Sequence, residues 1–356
     1  MQNKIPSYDD LMIEVCNKNV NVYYHPTIDG LVGFNYLDSV TYDKKWNNVN
    51  IWARGILFYN KICIAVPFTK FFNIEELNDD FMDKEILFAQ EKEDGSLIIS
   101  FVIGGEVHFA TRGSFISEQA KIAKKIWNDR HNGFVDLEYL EKNTMLFELV
   151  GPSNINICKK HKQDELILLS TINIQTGIEL DQFDSDILSD AIGCKRPVMY
   201  SIKSAKEIYN KIKEDKNPNF EGIVITLKDG YKAKIKSIKY FELSKSVSRL
   251  NSTSYIYEIW EDYELSGSID FEKFFIPDEF YPDVIQKVTD ISFAFNKQAS
   301  IWDNSYNFLL ALKKSGKERK DISIENPDLR WMLTDLFSGN EKISNDKYIK
   351  NFKKSI

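Results

Sequence analysis

The chain has 356 residues, 43% of them hydrophobic and 28% charged, with a formal net charge of −7 and four cysteines. That balance describes soluble globular material long enough for two cored domains, and apolar stretches as short as residues 62–68 fall well below a membrane span. Cys16, Cys63, Cys158 and Cys194 lie too far apart for a paired metal-ligand spacing and suggest neither a disulfide framework nor a zinc site; they read as reduced structural thiols. The start Met1-Gln2-Asn3-Lys4-Ile5-Pro6 has no apolar signal core, so a cytoplasmic protein is expected.

In chain order, residues 8–17 and 20–24 supply aromatic and apolar residues expected to close the edge of a domain. From about residue 51 to 243 the pattern is strand-like, with short Val, Ile, Phe and Tyr runs bounded by Gly, Asn and Asp. Two segments interrupt it at helical spacing. Residues 117–128 place Ala120, Ala123 and Ile126 on one face behind a Ser117 cap, and residues 201–213 do the same with Ala205, Ile208 and Ile212. After Ile276 the period changes, and helices are expected over 283–295, 300–314 and 326–337. No internal repeat or low-complexity tract is visible. The four histidines, His25, His108, His131 and His161, show no ligand spacing.

Lys92 stands in Lys92-Glu93-Asp94-Gly95-Ser96, between the apolar runs 86–88 and 97–102. A lysine set between two strands can present its amine for covalent chemistry, but neutralising it near pH 7 means moving about 3 units below a reference pKa near 10.4, roughly 4 kcal/mol. In Tyr231-Lys232-Ala233-Lys234-Ile235-Lys236, period-two alternation puts three lysines on one strand face. Such a face is either a solvated edge that resists aggregation or a phosphate clamp. The net charge is acidic, yet residues 231–245 hold five lysines against a lone Glu242, which leaves room for a local cationic groove. Glu148 and Glu221 each sit in an apolar strand, where a carboxylate needs an ion pair or a metal. Arg54, Lys70 and Arg112, each taken alone, would pass as snorkelling cations at the rim of a core.

Taken as an ordered set, Arg54-Gly-Ile, Lys70-Phe-Phe-Asn, Lys92-Glu-Asp-Gly-Ser, Phe147-Glu-Leu-Val-Gly-Pro, Glu221-Gly-Ile-Val and Lys234-Ile-Lys-Ser resemble the covalent nucleotidyltransferase superfamily. More narrowly, they resemble the RNA ligase 1 family of ATP-dependent RNA ligases, typified by the T-even phage enzyme, across residues 51–243. The resemblance implies an α+β protein. Its residues 1–245 would form an ATP-grasp-like adenylyltransferase domain of antiparallel sheets with flanking helices, and residues 246–356 an all-helical domain able to grip structured RNA such as a tRNA anticodon loop. It also implies that Lys92 takes AMP from ATP, with Mg2+ or Mn2+, passes it to an RNA 5'-phosphate, and leaves the activated end to a 3'-hydroxyl in RNA or tRNA repair. Arg54 and Lys70 would hold the outer phosphates of ATP, Arg112 a phosphate, and Lys234 and Lys236 the α phosphate. Glu148 and Glu221 would meet the ribose or the water shell of the metal, and Tyr240 matches a family aromatic. An end-healing polynucleotide kinase-phosphatase would be a natural partner.

Competing readings are a DNA ligase or guanylyltransferase, or a noncatalytic RNA-binding protein on the same fold. The helical tail, in place of a strand-rich OB domain, favours RNA ligase 1, and a pure binder needs no covalent nucleophile.

Overall fold

A computed structural model describes residues 4–77, 80–154, 157–158, 160–202, 204–228, 230–274, 276, 280–322, 329–339 and 342–355. The chain divides into two compact units, 1–242 and 243–356. All described strands belong to the first: β1 (Val20–Tyr24), β2 (Leu31–Tyr36), β3 (Arg54–Tyr59), β4 (Ile62–Ala65), β5 (Phe72–Asn73), β6 (Ile86–Glu91), β7 (Ser96–Ile103), β8 (Glu106–Thr111), β9 (Asn143–Val150), β10 (Glu165–Asn173), β11 (Met199–Tyr200), β12 (Gly222–Leu227) and β13 (Lys232–Lys236).

They make three sheets, ordered β1-β2-β3-β4, β10-β9-β7-β8 and β11-β6-β12-β13-β5. Every pairing within them is antiparallel except β13 with the two-residue β5. Apolar alternation decides which face each sheet buries. On β9, Phe147 and Leu149 enter a core with Ala123, Ile126 and Trp127, whereas Leu146 faces the other way into a core with Leu57, Ala65 and Ile99. The second and third sheets are joined by the Lys92 motif itself, since β6 lies in one, β7 in the other, and residues 92–95 run between them. The Lys92 motif is thus a crossover between sheets rather than a hairpin turn.

The expected helix at 117–128 runs Glu118–Ile126, with the Ser117 hydroxyl accepting from the Ala120 amide, and continues as a π-helical turn over Trp127–His131. The second begins at Ala205 rather than Ser201, because Tyr200 is held as a strand against Ala89 and Ser204 is the residue that caps. Helix Gln182–Ile192 lies inside the stretch read as strands. Its signals were present in the chain: Asp181 caps the start and Gly193, at φ 68°, ends it in the left-handed region that glycine adopts without strain.

Among the described residues, everything after Lys236 is helical: Ile238–Leu250, Thr253–Ser266, Tyr281–Lys314, Arg330–Phe337 and Asn345–Ser355, with short turns between. The second unit has its own core, built on Trp260, Val284, Phe295, Trp302, Met332 and Leu336. The helices expected at 283–295 and 300–314 are one 34-residue helix. Asn296-Lys297-Gln298-Ala299 between them contains neither glycine nor proline, so nothing breaks the hydrogen-bond ladder. Of the helix expected at 326–337, residues 326–328 lie outside the described residues. No described helix is long and apolar enough to cross a membrane. The four cysteines are unpaired, with Cys158 and Cys194 buried, Cys63 half-buried and Cys16 on the surface rather than in a structural position.

Candidate active site

One cavity of about 680 Å3 opens where the three sheets of the first unit meet. It is lined by Arg54 from β3, Gln90 and Glu91 from β6, Lys92 and Glu93 from the crossover, Ser96 and Leu97 from β7, Arg112 after β8, Glu148 from β9, and Lys232, Lys234 and Lys236 from β13. Lys70 also lines it. The structure therefore brings together every residue singled out in the sequence except Glu221 and Tyr240, which stand directly behind the lining.

The Lys92 amide donates to the Gly222 carbonyl at 2.8 Å, which ties the motif to the start of β12. Its Nζ donates to Glu221 Oε2 at 2.9 Å, and Lys236 Nζ meets Glu221 Oε1 at 2.8 Å. Glu221 is 2% exposed, so both its oxygens are held by ammonium groups in a place where an unpaired carboxylate would be costly. Burial alone favours a neutral Lys92, but Glu221 and Glu148 outweigh it and hold the amine above its ordinary pKa. Glu148 is also buried, and its carboxyl group makes no hydrogen bond or ion pair with another described residue. Burial pushes its carboxyl up to about 8 despite the nearby Lys92.

Sequence order places Glu91, Glu93 and Asp94 beside Lys92 and predicts that all three raise its pKa. The fold keeps Asp94 in that role and engages the other two elsewhere. Both carboxylates turn to Lys160, at 2.6 and 2.8 Å, and Glu93 also meets His161 Nε2 at 3.2 Å. The acids acting most strongly on Lys92 come from elsewhere in the fold, Glu221 and Glu148 first and the adjacent Asp94 after them. Asp94 itself accepts from the amides of Ile157 and Cys158 and from the Tyr240 hydroxyl at 2.9 Å. Burial pushes that phenol far up, so it stays a donor. Tyr240 also places its ring 4.8 Å from the Lys236 ammonium.

The three lysines of β13 share one face as alternation requires, and they are not a solvated edge. β13 is flanked by β12 and β5, with Ala233 and Ile235 fully buried behind it. Lys232 is anchored by Glu179 at 3.0 Å. Lys234 is pushed down to about 7 by burial and then by Lys236, Lys70, Lys92 and Arg54. A cluster of cations that lowers its own member's pKa is a site waiting for an anion.

The Arg54 guanidinium donates to the Thr69 carbonyl and covers the Phe71 ring. Arg112 donates to the Tyr36 hydroxyl at 3.0 Å. Lys70 sits among three rings, Tyr36, Trp46 and Phe72, at 5.6, 5.2 and 5.6 Å. Reading the chain missed Tyr36 and Trp46, which carry no motif and reach Lys70 only through the fold. It also missed Lys160 and His161, whose one signal is their opposite charge to the motif glutamates.

Gly95 marks how closely the crossover packs. A side-chain carbon there would overlap the Leu149 carbonyl oxygen and crowd the Glu148 side chain. Gly95→Ala should therefore lower stability by about 2 kcal/mol through overpacking and displace Glu148, seen as a reduced melting temperature.

A family model described as RNA ligase matches residues 52–240, more than half of the chain. The chain belongs to the RNA ligase family. The motif resemblance to RNA ligase 1 is thereby borne out. Over 227 residues the chain is 30% identical to a protein of Autographa californica nuclear polyhedrosis virus provisionally named bifunctional polynucleotide kinase/RNA ligase, covering 56% of this chain and 32% of that one. It is 24% identical over 180 residues to a provisionally named RNA ligase of Thermovibrio ammonificans, covering 48% and 46%. The chain thus spans a third to a half of these relatives. Among solved structures, a Naegleria gruberi RNA ligase with pyrophosphate aligns at TM-score 0.42 and 18% identity, over 51% of this chain and 60% of that one. An archaeal ATP-dependent RNA ligase aligns at TM-score 0.48 and 12% identity, over 80% and 76%.

Among the described residues, no three His, Cys, Asp or Glu side chains gather as a metal cage. A hydrated Mg2+ needs no such cage, because it keeps several waters and takes one or two carboxylates plus substrate phosphates. Glu148, buried at the cavity wall without a partner among the described residues, fits that demand, whereas Glu221 is already bound to two lysines.

Proposed function

We propose that this RNA ligase family member is an ATP-dependent ligase of RNA ends that works through a lysyl-adenylate on Lys92. The observation that carries the reading is that Lys92 lines one cavity together with Arg54, Lys70, Arg112, Lys234 and Lys236. Residues 1–242 do this chemistry, and the helical unit from 243 onward contacts the RNA. In the first step the neutral Nζ attacks the α phosphorus, a P–N bond forms, the bond to the bridging oxygen breaks, and pyrophosphate leaves. Arg54, Lys70 and Arg112 bind and align the leaving phosphates, while Lys234 and Lys236 neutralise charge gathering on the α phosphate. Tyr240 positions Lys236 and Asp94. The carboxylates that hold Lys92 protonated must be offset before it can attack. Mg2+ held through Glu148 would supply positive charge that favours the neutral amine and screens the triphosphate.

An RNA 5'-phosphate oxygen then attacks the adenylate phosphorus and frees Lys92. A 3'-hydroxyl oxygen attacks the 5'-phosphate of the activated end, and AMP departs. The viral relative's name pairs this chemistry with a polynucleotide kinase, which supports a partner that prepares the ends. A role in tRNA repair is part of the same reading. In the basic run Lys313-Lys314-Ser315-Gly316-Lys317-Glu318-Arg319-Lys320, Lys313 donates to the Leu336 carbonyl and Lys320 pairs with Glu318 on the surface.

The protein should take label from α-labelled ATP with Mg2+ as an alkali-stable, acid-labile adduct on the denatured chain, as a P–N bond requires, and release it on a chase with 5'-phosphorylated RNA. Label taken from GTP instead, or chased only by nicked DNA, would move the chain to guanylyl transfer or DNA sealing. RNA binding with no label at all would make it a binding protein.

A further inference from the structure

The segment between β9 and β10 is fastened to the nucleophile motif at several points. The Asp94 carboxylate accepts from the amides of Ile157 and Cys158, and Ser96 donates to Asn154 at 2.9 Å. The strongest of these ties is a single ammonium. Lys160 meets Glu91 at 2.6 Å and Glu93 at 2.8 Å, and both carboxylates stand in the wall of the cavity with side chains only 12% and 5% exposed. Hydrogen bonds donated to these two carboxylates overcome the burial of Lys160 and keep it charged.

Two further negative charges on either side of Lys92 work against the purpose of a cavity otherwise walled by cations. They would repel a triphosphate and oppose neutralisation of the amine. We propose that Lys160 is a positioning residue that cancels Glu91 and Glu93, and that this cancellation lets the cavity accept a nucleoside triphosphate. The inference rests on the ATP-dependent reading above and adds to it a residue outside the motifs, reached through a loop rather than through a strand of the cavity. His161 assists by holding Glu93 in place. The effect is selective for anions: it governs binding of the triphosphate tail and leaves the nucleoside part alone.

The test is equilibrium binding by the full chain in metal-free buffer, where turnover cannot proceed, with ATP and adenosine as separate probes. Lys160→Ala should weaken ATP at least about tenfold while moving adenosine less than about twofold, as expected for loss of one neutralising charge. Lys160→Arg should recover most of the affinity. Adding Glu91→Gln and Glu93→Gln to Lys160→Ala should also recover it, an outcome that a merely structural lysine would not produce. ATP bound equally well by Lys160→Ala, equal losses for ATP and adenosine, or no recovery on neutralising the two glutamates would each overturn the inference. Wild-type protein that takes no label from ATP would instead overturn the reading beneath it, so the two failures are distinguishable.

Discussion

Lys92→Ala protein incubated with α-labelled ATP and Mg2+ should carry no label after denaturation, a loss of at least about a thousandfold, because no other group in the cavity can take its place as nucleophile. Lys234 and Lys236 lie on the same cavity wall, but they are fixed to β13, and Lys236 is paired with Glu221. The variant should remain folded. Lys236 still neutralises one oxygen of Glu221, and Lys92 contributes no side chain to any of the apolar cores. Lys92→Arg should fail equally, since a guanidinium keeps its proton at any working pH. A chemically prepared 5'-adenylated RNA bypasses the first step, so both variants should retain measurable sealing of that substrate. Wild-type labelling in Lys92→Ala would remove the central assignment.

Lys234→Met should reduce nucleotidyl transfer by about a hundredfold or more, the scale of a lost electrostatic contact to developing phosphate charge. Its second signature is a proton. Burial and neighbouring cations push Lys234 down to about 7, whereas an unfolded lysine titrates near 10.4. Between those values the unfolded chain binds a proton that the folded chain lacks. This group's contribution therefore makes stability rise with pH across that window, complete above about 10.4 and lost as pH falls through about 7. Lys234→Met should flatten the rise and raise the melting temperature near neutral pH. Pyrophosphate bound in the cavity opposes the cation repulsion and returns the proton, so binding at about pH 8 should take up close to one proton, and at about pH 6 almost none. Calorimetry in two buffers of different ionisation enthalpy measures this directly. Uptake that persists in Lys234→Met would assign the proton to another group and leave the clamp role without support.

Local rules carried the reading a long way because several parts of this site are local. Alternation alone put Lys232, Lys234 and Lys236 on one face of a strand and separated Glu148 from Phe147 and Leu149. The order of short motifs from Arg54 to Lys236 then identified the family. Helix signals worked where caps were sharp, as at Ser117, and misplaced a start where a neighbouring strand claimed Tyr200. The split of helix Tyr281–Lys314 into two came from reading a polar interval as a break when its residues are all tolerated in a helix.

What the chain could not disclose alone is which charges meet. Chain proximity suggested that Glu91 and Glu93 act on Lys92, yet Lys160 holds both, and the carboxylate that grips the amine is Glu221, 129 residues away. Pairing of β12 with β6 on one side and β13 on the other brings Glu221 to both lysines, and that pairing is a product of the whole sheet. The chemical types and the faces they occupy were therefore written in residue order. The protonation of the nucleophile, the neutralisation of its flanking acids and the aromatic seat of Lys70 were decided by tertiary structure, because electrostatic coupling depends on distance and burial in space and not on separation along the chain.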